Sequence, residues 1–261
     1  MIRVFIGAGP EHKIPAEVLK HSILSRTERD VEITLLSEVE KTVPIPKKWK
    51  RWAPTGFSFQ RFLIPEACGY QGKGIYLDSD MLVFGDIGEL WDTPFPEDAT
   101  ILNTGGWQSA VMLIDCEKTR WQIKDLCGQL DAKTKNYGPM CNLKYEKIAG
   151  ALNEYWNFHD RSKLYKQWHE THDALPPECR LLHYTDLSKQ PWDKNGASHQ
   201  LEFIWRAELL FALDTGAITK DDVMEAVRRQ DIRPSIAGWV GEVPPMTDAQ
   251  FVSPLKRRRR K

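Results

Sequence analysis

No uninterrupted apolar stretch in this sequence of 261 residues approaches the roughly 18 that a membrane span needs. The five cysteines, Cys68, Cys116, Cys127, Cys141 and Cys179, are odd in number and form no C-x-x-C pair. That disfavours both a secreted disulfide framework and a zinc site, suits a reducing cytoplasm, and reads as small buried apolar residues. Net charge is absent too, with 36 basic against 36 acidic side chains. Internal repeats and low-complexity linkers are missing. What is there is ordinary for a globular protein, 41% apolar and 28% charged residues, which excludes a disordered or fibrous chain. A chain of this length buries a large core without disulfides or structural metal and suits one domain. Its opening residues, Met1 to Gly7, reach a glycine too early for a signal peptide and read as a strand.

The zero charge hides an asymmetry. Residues 256–261 are all basic, so the remaining body carries 30 bases against 36 acids, a net −6. An acidic body without aromatic-basic interleaving makes nucleic acid an unexpected partner. The tail reads as a disordered, solvated terminus, and peripheral contact with an anionic membrane is the other use of such a run.

Short apolar runs alternate with amphipathic ones over the first two-thirds of the chain. Strands are expected at 2–6, 31–36, 74–77, 99–102 and 110–114, and helices around 16–24 and at 118–130. Strands interleaved with helices predict an α/β fold with a mainly parallel sheet, whose ligands gather beyond the carboxyl ends of the strands. After an apolar run at 181–184 come two helical patterns, 201–213 and 221–229. The second has acids at its start and arginines at its end, as the helix dipole favours. Residues 200–250 are therefore expected to be a helical extension packed on a single domain spanning 1–255.

The sharpest motif is Asp78-Ser79-Asp80, where the apolar run Ile75-Tyr76-Leu77 ends and Leu82-Val83-Phe84 resumes it. In an extended segment residues i and i+2 share a side, and neighbouring carboxylates repel unless a cation sits between them. Hard oxygen donors suit Mg²⁺ or Mn²⁺, which keep positions open for substrate phosphates. The other reading is a turn with two solvated acids. A second motif joins His183, at the end of an apolar run, to Lys189, Gln190, Pro191 and Trp192. An imidazole is a ready third ligand for Mn²⁺, and a lysine ammonium holds a phosphate as a point charge. The same residues also suit a hydrogen-bonded strand-end histidine and a packed turn.

Together these motifs resemble glycosyltransferase family 8, which contains glycogenin and the bacterial lipopolysaccharide galactosyl- and glucosyltransferases. The likeness includes Phe59-Gln60-Arg61-Phe62 before the acid pair and Ile87-Gly88-Glu89-Leu90-Trp91 after it. Gln108-Ser109-Ala110-Val111 and Leu152-Asn153-Glu154-Tyr155-Trp156-Asn157 follow in the family's order, all within residues 1–192. The resemblance implies a GT-A type, Rossmann-like fold and a hexosyltransferase. Its donor would be a nucleotide-sugar, UDP-glucose or UDP-galactose, used with retention and with Mn²⁺ (or Mg²⁺) as cofactor. By the family pattern, Asp78 and Asp80 hold the metal, with Asp78 also near the ribose, and His183 is the third ligand. Lys189 contacts the diphosphate, and Arg61 lies near the phosphates or the donor sugar. Ile6, Gly7 and Ala8 line the base and ribose, and Gln108 stands where the family has an asparagine touching the donor sugar. The acceptor, a carbohydrate, lipid or protein, is not legible; 105–107, 155–166 and 239–251 are candidate segments for it. A cytoplasmic location is expected.

Three departures bear on catalysis. The D-Q pair that many members carry before the L-N segment is replaced by Ile148-Ala149-Gly150-Ala151. A donor-facing group must then come from elsewhere, with Gln108, Asp160 and Glu146 as candidates. The lysine motif carries an extra residue, Gln190, before Pro191, and Asp186 where a glycine is common. Ala110 replaces the glycine of the donor-sugar strand. Two rival readings follow: a non-catalytic nucleotide-sugar-binding member of the same fold, or a phosphatase of the haloacid dehalogenase type, whose nucleophile also lies in a D-x-D strand.

Overall fold

The computed structural model of the chain describes residues 1–39, 44, 47, 58–106 and 108–254. Trp107, in one candidate acceptor segment, and the basic run 256–261 lie outside the described residues. In chain order the strands are β1 (Ile2–Gly7), β2 (Val31–Leu35), β3 (Lys73–Asp78), β4 (Met81–Val83), β5 (Ile101–Leu102), β6 (Val111–Asp115), β7 (Ile148–Ala149), β8 (Phe158–His159) and β9 (Leu181–His183). The α-helices are α1 (Lys13–Leu24), α2 (Ile64–Ala67), α3 (Ile87–Trp91), α4 (Ile123–Asp131), α5 (Tyr137–Cys141), α6 (Lys163–Trp168), α7 (Glu202–Asp214) and α8 (Lys220–Arg228). The chain divides into two units, one of residues 1–9, 27–78 and 86–157, the other of 10–26, 79–85 and 158–261.

The first unit is built on a six-stranded sheet of order β2-β1-β3-β6-β5-β7. Only β6 runs against its neighbours, so the sheet is mixed and mainly parallel, as the alternation of runs predicts. Register sets Phe5 beside Tyr76 and Tyr76 beside Met112. These side chains, with Ile101 and Ile114, join Phe62, Ile64, Trp121, Leu126 and Met140 in one core against α2, α4 and α5. The intervening residues Val4, Ile6, Ile75, Leu77 and Leu113 are also fully buried. Strands buried on both faces read as continuous apolar runs, which is why they were legible.

One expected element differs. The helical pattern of 118–130 becomes α4 only at Ile123, because Gln122 is still extended. A 3-10 turn, Gln60–Leu63, leads into α2, with Pro65 in its first turn, where a missing N–H costs nothing. Asp86 caps α3 by accepting from Gly88 N at 2.8 Å.

The second unit holds a three-stranded sheet of order β4-β9-β8. Register puts Met81 opposite His183 and His159 beside it on the other side. The apolar run through Asp78-Ser79-Asp80 is therefore not one strand: the chain bends at 79–80, and β3 and β4 belong to different sheets. Helix α1 packs on β4, α7 and α8 through Ile14, Val18, Leu19 and Ile23, while Ser22 Oγ accepts from Val83 N at 3.1 Å. Buried Glu208 of α7 meets His21 Nδ1 and Arg26 Nη2, each at 2.7 Å. A capping box between Thr219 and Asp222 starts α8. Residues 200–250, expected as an extension, fall in this unit together with α1, β4, β8 and β9. Their Trp205 ring lies tilted, 5.2 Å from that of Trp192, itself 6.3 Å from Tyr184. Trp192 thus fixes the lysine motif to a core.

All five cysteines are free thiols, four buried and Cys141 half-buried. Among the described residues no helix is long and apolar enough to cross a membrane.

Candidate active site

Asp78 closes β3, directly beside Gly7 at the end of β1. Its Oδ1 accepts from the Tyr76 hydroxyl at 2.5 Å and faces Arg61 Nη2 at 3.4 Å. Arg61 is buried, and its other donors reach Ser58 O at 2.9 Å and both Ser109 O and Ser109 Oγ at 2.6 Å. Its guanidinium lies 4.7 Å from the centre of the Tyr76 ring. Burial alone would favour the neutral form, yet Tyr76 and Asp78 together hold this guanidinium charged more firmly than usual. Arg61, expected near the phosphates or the donor sugar, also fixes Asp78 and the start of the 109–111 segment. Ile6 and Ala8 are buried, and a Cβ on Gly7 would stand 2.3 Å from the Tyr76 hydroxyl. Gly7 leaves room for the hydroxyl that holds Asp78.

Gln108 is exposed, and its Oε1 accepts from Asn157 Nδ2. Asn103, fully buried and not anticipated from sequence, ties the loop beneath it. It donates to Gln108 O at 2.8 Å and Gly106 O at 3.1 Å, and accepts from Gly105 N at 3.0 Å. Gly105 and Gly106 have φ of 108° and 60°, values side chains resist. A Cβ on Gly150 would lie 3.0 Å from Gly105 Cα. The missing D-Q pair is thus accompanied by a close backbone approach at Gly150 that a side chain would crowd.

In the second unit, Asp80 Oδ1 lies 3.2 Å from His183 Nε2. That oxygen is buried and receives no hydrogen bond. Gln190, 2% exposed, donates to the other oxygen, Asp80 Oδ2, at 2.7 Å. A buried carboxylate oxygen left without a donor is costly, and facing an imidazole nitrogen it has the arrangement of two ligands to one cation. A hard divalent cation fits this donor pair. Lys189 is exposed, and no side chain among the described residues is bonded to its ammonium.

His159, next to His183 in register, escaped the sequence reading. Its ring centre is 6.1 Å from that of His183 and its Nδ1 is buried without a hydrogen bond. Burial first, then the His183 ring, push its pKa down to about 4, so it is neutral near pH 7. Asp160, a candidate catalytic acid, accepts from Thr185 Oγ1 and from Asp186 N at 3.2 Å, with His199 Nε2 3.8 Å away. Burial pushes its carboxyl up, but the nearby His199 ring and the hydrogen bonds from Thr185 and the Asp186 backbone prevail and hold it at about 2. A carboxylate so held stays ionised near neutrality, and it also anchors the chain leaving β9. Glu146 is half-buried.

The model of glycosyl transferase family 8 matches residues 21–196. Protein CDI of Arabidopsis thaliana is 36% identical over 96 residues, which are 34% of this chain and 36% of that protein. Among solved structures, the glycosyltransferase GlyE of Streptococcus pneumoniae TIGR4 superposes with a TM-score of 0.55 at 19% identity, over 80% of this chain and 60% of GlyE. The galactosyltransferase LgtC, solved with donor and acceptor sugar analogues, gives 0.55 at 16% identity over 80% of this chain and 95% of LgtC. The bifunctional glycosyltransferase WbbM gives 0.58 at 14% identity, over 87% of this chain and 51% of WbbM. The aligned part is thus about a third of Protein CDI and three-fifths of GlyE. At these identities the superpositions establish a shared fold with GT-A type glycosyltransferases.

Proposed function

The chain belongs to glycosyl transferase family 8, and from that premise we propose that it transfers a hexose from a nucleotide-sugar to an acceptor with a divalent cation as cofactor. The donor is UDP-glucose or UDP-galactose, the configuration is retained, and the cation is Mn²⁺, with Mg²⁺ as the substitute. The observation that carries the reading is the undonated, buried Oδ1 of Asp80 facing His183 Nε2. Membership of this family sets aside the dehalogenase-type phosphatase.

Asp78, Asp80 and His183 would hold the cation. When bound, it supplies positive charge to the diphosphate oxygens as the glycosidic bond breaks. Arg61 and Tyr76 contribute by fixing the Asp78 carboxylate before substrate arrives, so little ordering remains to be done in the transition state. The exposed Lys189 ammonium adds a second positive charge for the departing nucleoside diphosphate, most useful once that group carries its full charge. Gln108, steadied through its Oε1 by Asn157, presents its amide nitrogen to the donor sugar. No activated serine or cysteine is needed, since positioning and electrostatics suffice. The acceptor is met by variable segments, with 155–166 and 239–251 the candidates inside the described residues.

Thermal unfolding with UDP, Mn²⁺, both or neither tests the reading. Ligand at 100 times its dissociation constant stabilises by about 2.7 kcal/mol, a rise of roughly 5–10 °C for a chain of this size. The rise should require UDP and Mn²⁺ together; no rise with any nucleotide would overturn the proposal. Turnover of the nucleotide-sugar then separates an enzyme from the binding-only member that the Gly150 contact would also suit. Lys189→Ala should weaken UDP binding about tenfold, a typical loss for one charge-assisted hydrogen bond, and leave uridine binding unchanged. Equal loss for uridine and UDP, by calorimetry, would mean that the lysine does not act on the diphosphate.

A further inference from the structure

The two oxygens of Asp80 have opposite surroundings. Oδ2 receives the 2.7 Å hydrogen bond from Gln190 Nε2, across 110 residues of sequence. Oδ1 receives none and faces His183 Nε2. Gln190 Nε2 spends its second proton on Tyr184 O at 3.2 Å. A side-chain amide nitrogen has two protons, so both are committed and the amide is locked with its donors toward Asp80 and β9.

The backbone carrying Gln190 is clamped from behind. Asp193 N donates to Gln190 O, Arg233 Nε to Pro191 O and Arg233 N to Trp192 O, each at 2.8 Å. Arg233 is itself buried and bonded to Glu202 Oε1 at 2.6 Å. Trp192 is buried between Tyr184 and Trp205. Gly196 lies so close that a Cβ there would stand 2.4 Å from Pro191 O. A loop built only to cover β9 would not need its one buried amide aimed at a carboxylate.

We propose that Gln190 is a positioning residue for the cation: by occupying Asp80 Oδ2 it turns the carboxylate so that Oδ1 alone is offered, beside His183 Nε2. The inference rests on the cation reading above. An aspartate's terminal torsion is broad and roughly two-fold, so without this bond the carboxylate samples orientations in which Oδ1 leaves His183. Hydrogen-bond donors behind ligating carboxylates commonly matter by about 10–100-fold in metal affinity or activity.

The test uses the full chain and Mn²⁺ as probe. Free Mn²⁺ is followed by electron paramagnetic resonance in the presence of UDP, and the unfolding midpoint is taken without metal. Gln190→Met keeps length and volume but cannot donate. It should weaken Mn²⁺ binding about 10–100-fold at a temperature where the metal-free variant is folded, and leave uridine affinity unaltered. If methionine prevents folding, Gln190→Asn replaces it, since its amide sits one methylene short of Asp80; weakened Mn²⁺ binding is again expected. Wild-type Mn²⁺ affinity in either folded variant overturns the proposal. Failure of the wild-type protein to bind Mn²⁺ at all would instead sink the cation reading, and this inference with it, so the two failures are distinguishable.

Discussion

Asp80→Ala should abolish Mn²⁺-dependent UDP binding and leave the protein folded. Alanine removes the oxygen that faces His183 and, with it, the acceptor of Gln190. The structural cost is modest: a buried donor left without a partner costs about 1–3 kcal/mol, and Gln190 keeps its bond to Tyr184 O. The variant also loses a buried oxygen that had no donor of its own, which offsets part of that cost. The functional cost is larger, since cation stabilisation of a developing charge contributes several kcal/mol. At about 1.4 kcal/mol per tenfold, kcat/KM should fall about a thousandfold. Calorimetry checks the binding half directly. An Asp80→Ala protein with unchanged affinity for UDP and Mn²⁺ would overturn the assignment of Asp80 as a metal ligand.

Gly196→Ala should lower the unfolding midpoint by roughly 2–12 °C and weaken Mn²⁺ binding in the same variant, as expected for about 1–3 kcal/mol of overpacking in a chain of this size. The added Cβ would fall 2.4 Å from Pro191 O and 2.5 Å from Gln190 O. These are backbone atoms and cannot swing aside. Both carbonyls are already acceptors, of Arg233 Nε and Asp193 N, each at 2.8 Å. Relief of the clash must therefore break one of those bonds or displace Gln190 from Asp80. A differential scan with and without Mn²⁺ and UDP reads both effects. A wild-type midpoint and affinity would mean that the loop yields at no cost.

The central strands β1, β3 and β6 of the first unit were legible because their middles are buried on both faces. Phe5 and Tyr76 face one layer while Ile6 and Leu77 face the other, and nothing polar interrupts the runs 4–6, 75–77 and 111–114. The acid pair, His183 and Lys189 were legible as residue types at strand ends. Their neighbours were not. Arg61 reads as a cation near the phosphates or the donor sugar, and nothing local says that it is bonded to Asp78 and Ser109. Asp160 reads as a donor-facing acid, and nothing local says that Thr185 and the Asp186 backbone hold its carboxylate. Gln190 did leave a signal, as the extra residue ahead of Pro191, yet nothing local says that its amide reaches Asp80. His159 left none, since a histidine after Phe158 gains meaning only when β8 lies beside β9.

The sequence by itself determined the family, the alternating α/β plan and the stock of donors: two acids, an imidazole and a lysine. Only the tertiary structure decided which atoms of that stock remain to be used. Asp80 keeps one oxygen unclaimed because Gln190, 110 residues away, takes the other. Arg61 is tied to Ser58, Ser109 and Asp78, residues from separate segments. Residue type fixes how many hydrogen bonds a side chain can make. Which of them are already made depends on contacts between segments far apart in the chain, and local pattern carries no record of those.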